Sequence, residues 1–187
     1  WSCYVTLDQG REGACVGFAC SHEAAATPAV VPGITKNVAR TIYQRAKQID
    51  EWPGENYEGT SVLAGMKAGK EKGWWKEYRW AFSERELCLS IGYLGPCVLG
   101  IGWYEGMSQP DAEGRVRPTG SLLGGHAILC SGYDAKKELY RLHNSWGPKW
   151  GHRGDCFISA KDMATLLKRR GEAAVPLKRQ VPKGRAK

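Results

Sequence analysis

The sequence predicts an α+β fold with a helical N-terminal half, a β-rich C-terminal half and a cleft between them. Three observations lead to this. Segments with helical periodicity and recognisable starts and stops fill residues 15 to about 92, while short apolar and aromatic runs fill 96–159. The two kinds of segment are grouped rather than alternating, which argues against a parallel α/β sheet. A chain of 187 residues is also long enough for one domain, burying roughly 70% of its unfolded surface without cross-links.

The elements follow in order. CVGFACSHEAAA (15–26) is Ala-rich, and Pro28 stops the helix. TKNVARTIYQRAKQIDE (35–51) places Val38, Ile42, Ala46 and Ile49 on one helical face. A third helix starts at Thr60 or Ser61 and stops near Gly73; a fourth opens on the capping box Ser83 to Glu86 and ends between Gly92 and Pro96. PCVLGIGWYEG (96–106) reads as a buried strand, and 104–124 as a Gly/Pro-rich loop. HAILCSGYD (126–134) and ELYRLHNSW (138–146) are strands joined by the polar turn Asp134–Lys137. DCFIS (155–159) is a further strand and AKDMATLLKRR (160–170) a last helix.

The formal charge of +8 is uneven. Residues 168–187 hold eight bases against Glu172, which leaves 19 bases and 18 acids for the rest. The expected organisation is therefore a domain over 1–167 and a basic, solvated tail over 168–187, with a contact to acidic surfaces or nucleic acid as the tail's alternative use. No apolar run approaches the roughly 18 residues of a membrane span. The seven cysteines (3, 15, 20, 88, 97, 130 and 156) have no C-x-x-C pair, and the four histidines are scattered. No metal site and no cofactor are expected. Either one cysteine stands apart among buried thiols or three bridges leave one free; Cys130 and Cys156, in apolar runs, read as buried packing.

Cys15 follows the Gly-rich turn GREGA and heads the first helix. A thiol is a strong nucleophile only as thiolate, and a helix N-terminus and a nearby imidazolium both favour that form. Gly13 leaves room for a substrate backbone beside the sulfur. His126 follows two glycines and precedes the apolar run AILC, so a strand would fix a ring at an open edge. Asn144, in HNSWG, supplies an amide oxygen that can accept from an imidazole N–H and orient it. Trp146 and Trp150 would shield that bond from water. Taken singly, each of these residues reads as well as ordinary core.

Together, QGREGAC (9–15), GGHAILCSGYD (124–134) and HNSWGPKWGHRGDCFI (143–158) resemble the papain-like cysteine peptidases, with three motifs in the family's order over most of residues 1–160. The resemblance implies a papain-like fold and peptide-bond hydrolysis of polypeptide substrates. It implies Cys15 as nucleophile, His126 as general base and later acid, Asn144 as the residue orienting it, and Gln9 as an oxyanion donor beside the Cys15 backbone N–H. Gly59 and Thr60, in NYEGTSV (56–62), would edge the substrate site, along with Gly13, Gly125 and Trp146.

The sequence also departs from the family. Glu12 stands where the family has a second cysteine, and NYEGTSV lacks that cysteine's partner. Loss of both fits a reducing compartment, such as a cytoplasm or a virus particle, with secretion left open. Val16 replaces the usual Trp after the nucleophile. The spacings Cys15–His126 (111) and Cys15–Asn144 (129) are short beside the family's roughly 130–150. Compact forms of this kind resemble those of bacteria and bacteriophages. His143 points to the opposite strand face from Asn144, and His22 is expected at the surface. Two other functions compete: transfer of the acyl group to an amine, which Asn144 disfavours against Asp, and a catalytically silent papain-like scaffold, which the complete residue set disfavours.

Overall fold

The computed structural model describes residues 1–52 and 57–181. Asn56 of NYEGTSV and residues 182–187 of the expected tail lie outside the described residues. Among the described residues, five α-helices run α1 (Cys15–Ala24), α2 (Lys36–Ile49), α3 (Val62–Glu71), α4 (Glu84–Tyr93) and α5 (Ala160–Lys168). The strands are β1 (Trp75–Ala81), β2 (Cys97–Tyr104), β3 (Leu122–Asp134), β4 (Leu139–His143), β5 (Asp155–Ser159) and β6 (Glu172–Arg179). They form one antiparallel sheet in the order β1-β6-β2-β3-β4-β5.

Alternate residues of a strand face opposite sides, and here both sides are apolar. Leu99, Ile101 and Trp103 of β2 and Ile128 and Cys130 of β3 share a core with α4 and α5. Val98 of β2 and Ala127 and Leu129 of β3 share the other core with α1, α2 and α3. Burial on both faces is why CVLGI and HAILC read as unbroken apolar runs rather than alternating ones.

Side-chain caps set four helix starts. Thr35, Ser61, Ser83 and Ser159 accept from the N–H groups of Val38, Ala64, Glu86 and Asp162. In return, Glu86 Oε2 accepts from Phe82 N at 2.6 Å. α1 differs. Ala14 offers no cap, and Val16 through Ala24 are buried on every side.

Three expectations are corrected. Residues 172–179 are not tail but a strand between β1 and β2. Ala173, Ala174 and Val175 enter the two cores, and the neighbouring bases find acids elsewhere in the chain. Arg179 Nε lies 2.5 Å from Glu23 Oε1, both side chains being almost wholly buried, and its Nη atoms donate to Leu94 O and Pro96 O. Lys178 pairs with Glu77. β1, missed inside a half read as helical, is the edge strand that β6 pairs with. His22 is fully buried rather than exposed, and Leu7 N donates to its Nε2.

All seven cysteines are free, with Cys20, Cys97, Cys130 and Cys156 buried. Where the family resemblance leads one to expect a bridge, Glu12 instead forms an ion pair with Arg40 of α2 at 2.6 Å. No helix among the described residues is long and apolar enough to cross a membrane.

Candidate active site

The N-terminus of α1 meets the middle of β3. Ala127, the residue after His126, donates its N–H to Cys15 Sγ at 3.4 Å. Asn144, just past the end of β4 and fully buried, places Oδ1 2.8 Å from His126 Nε2. Its orientation is fixed by a second neighbour, because Ser145 N donates to the same oxygen at 2.8 Å. A backbone N–H can only donate, so the oxygen faces it, and His126 Nε2 must then donate as well. This makes Nδ1 the basic nitrogen of the ring. The Asn144 Nδ2 group is buried and has no hydrogen-bond partner among the described residues.

Aromatic rings enclose the histidine. Trp103 meets His126 edge-on at 4.7 Å between centroids, and Trp146 lies 5.2 Å away on another side. Trp150 packs on both indoles and donates Nε1–H to Ser108 O at 2.9 Å. Burial accordingly lowers the His126 pKa to about 4 against the pull of Asn144. Burial also raises the Cys15 thiol, opposed by the N–H groups of Ala127, Val16 and Cys15 itself. Desolvation disfavours either charge alone, so ionisation here is a proton passed from sulfur to ring, with no net charge created.

Gln9 is buried and held at three points. Its Oε1 accepts from Ser145 Oγ at 2.5 Å, its Nε2 donates to Glu12 O at 2.8 Å, and its N donates to Ser145 O at 2.8 Å. One Nε2 hydrogen remains.

Cys15 and His126 open onto a cleft of about 600 Å³, which Gly59, Thr60 and Gly125 also line. Gly59 has φ +90° with open space about it, and Thr60 is fixed by an Oγ1 bond to Asp50 Oδ2 at 2.6 Å. Two expected substrate contacts fall elsewhere. A Cβ on Gly13 would come 3.1 Å from Gly59 N and Glu58 Cβ, so the room it leaves is taken by the cleft wall. Trp146 packs on His126 and is not among the described residues lining the cleft.

Other site residues were not foreseen. Trp103 and Ser145 touch the assigned side chains directly. The signal for Trp103 was the alternation Leu99, Ile101, Trp103 in β2, which puts it on the face beside Ile101, the register partner of His126. Glu172 and Arg169 line the cleft but were hidden in the segment read as tail. Burial, then Glu51, pushes the Glu172 carboxyl up.

No protein-family model matches the chain. A cathepsin B-like cysteine proteinase of Schistosoma japonicum is 28% identical over 97 residues, covering 46% of this chain and 28% of that protein. The chain thus matches under a third of that relative's length. Among solved structures, xylellain, a cysteine protease from Xylella fastidiosa, is similar at a TM-score of 0.71 and 20% identity, covering 95% of this chain and 84% of that one. The bromelain protease of Ananas comosus, in complex with the E64 inhibitor, gives 0.62 at 14% identity over 92% of each chain. The arrangement of α1 against β3, with the helices and sheet around them, is the papain-like cysteine protease fold.

Proposed function

We propose that this chain is a cysteine endopeptidase acting through an acyl-enzyme on Cys15. The observation that carries the proposal is the His126–Asn144 bond, which leaves Nδ1 basic on the strand whose next N–H touches the Cys15 sulfur. Sγ attacks the scissile carbonyl carbon as its proton passes to His126 Nδ1. The oxyanion accepts from the Cys15 backbone N–H and the remaining Gln9 Nε2 hydrogen. His126 then protonates the leaving amine, and the thioester is hydrolysed by water that His126 deprotonates. Asn144 keeps the ring in register, and the three indoles keep water from its bond. Gly59, Thr60 and Gly125 are the proposed edges for an extended polypeptide. Seven free thiols support work in a reducing compartment.

The test is peptide cleavage together with thiol mapping. A peptide library should be cut, and a limiting amount of iodoacetamide should label Cys15 before any other cysteine and stop cleavage in proportion. Equal labelling of Cys15 and the buried thiols, or cleavage that survives full labelling, would overturn the reading. Added amines should leave the product masses unchanged; amide products would indicate acyl transfer instead.

Gln9→Ala removes one oxyanion donor. We expect kcat to fall by about 10²–10³ with KM little changed, since the bond strengthens only as the oxyanion forms. Steady-state kinetics on one peptide decide it, and an equal rise in KM with kcat intact would assign Gln9 to substrate binding.

A further inference from the structure

We propose that Cys3, outside the cleft, is a second reactive thiol, which forms a mixed disulfide with an anionic low-molecular-weight disulfide. A pocket of about 200 Å³ opens beside Cys3, His143 and Asp155 and is bordered by Arg141 and Arg153. His143 Nδ1 lies 2.5 Å from Asp155 Oδ1, and Nε2 lies 2.9 Å from Val5 O. Both partners can only accept, so both ring nitrogens carry hydrogen and the ring is an imidazolium. Burial opposes that charge, but Asp155 and the neighbouring Cys3 outweigh it and raise the pKa to about 10.

The adjoining His22, edge-on at 4.5 Å, is held neutral by burial and by this cation. Cys3 Sγ sits 3.2 Å from Val5 O and 3.3 Å from His22 O, at the edge of the pocket that His143 also lines. A cation in the same pocket stabilises the negative charge that an attacking sulfur carries.

Arg141 Nε is held by Ser131 Oγ at 3.0 Å, and Arg153 is exposed. With His143 they outnumber Asp155 and make the pocket cationic, which selects a disulfide carrying carboxylates. The Cys3 thiolate attacks one sulfur of that disulfide. The new S–S bond forms as the old one breaks, and the other half leaves as a thiolate that takes the proton Cys3 gave up. Cys3 is oxidised and the departing half reduced, so no further oxidant is needed.

The test uses the full chain carrying Cys15→Ala, so that only thiols outside the cleft are read and the outcome is independent of the proposed peptidase activity. Oxidised glutathione is the anionic probe and cystamine the cationic one, with peptide mapping by mass. Oxidised glutathione should modify Cys3 about tenfold faster than Cys88, which is also half-buried. Arg153→Ala, an exposed and structurally mild change, should slow the glutathione reaction about threefold or more and leave the cystamine rate unchanged. Equal rates at Cys3 and Cys88, or an Arg153→Ala chain with its preference for the anionic probe intact, would overturn the proposal.

Discussion

Cys15→Ala is expected to abolish peptide cleavage, by a factor on the order of 10⁶, while the fold stands. A covalent nucleophile has no substitute, because His126 and Gln9 act only on the bond that the sulfur forms. The structural cost is small. Residue 15 is the first of α1, alanine is the best helix former, and the losses are N–H to sulfur approaches and the packing of one half-buried sulfur against the helical core. Thermal unfolding should therefore shift by no more than about 2–4 °C, the equivalent of roughly 1 kcal/mol in a chain of this size. Cleavage retained within tenfold of the parent would refute the acyl-enzyme, whereas a large melting shift would assign Cys15 to packing.

The fold and the site were legible in the sequence to different depths. Local signals located the helices: α2 by its apolar face, α3 by a start at Thr60 or Ser61 and α4 by the Ser83 capping box, and the structure caps α3 and α4 at Ser61 and Ser83. Runs buried on both faces located β2 and the core of β3. β1 and β6 were not legible because each is a strand chiefly through the other. Glu77 of β1 and Lys178 of β6, for example, pair across the ladder. A count of bases along 168–187 could not show that Arg179 reaches Glu23 on α1.

At the site, Cys15, His126 and Asn144 were singled out by their chemistry and Gln9 by the resemblance, and α1, β3 and the segment after β4 bring these side chains together. What the sequence could not supply was the environment. Trp103 arrives through sheet register, and the lowered His126 pKa arises from burial that only the assembled indoles create.

Gly17→Ala is expected to damage both stability and catalysis. In α1 an added Cβ would sit 2.4 Å from Ala39 O and 2.6 Å from Tyr43 N. Both are backbone atoms of α2, so no rotamer change relieves the clash and the helices must part. Alanine gains about 1 kcal/mol in helix propensity over glycine, but overpacking against backbone costs about 1–3 kcal/mol or more. The balance should be destabilising, read as a melting temperature lower by about 2–8 °C. Because Cys15 lies two residues earlier on the same helix, its sulfur moves relative to β3, and a misplacement near 1 Å can cost about 10²-fold in rate. Gly92→Ala is the counterpart. It lies on α4 with open space where its Cβ would go, so propensity acts alone and the melting temperature should rise. Opposite shifts for these two identical substitutions would trace to the contact between α1 and α2 that seats the nucleophile. A Gly17→Ala chain as stable and active as its parent would mean that this close approach does not exist.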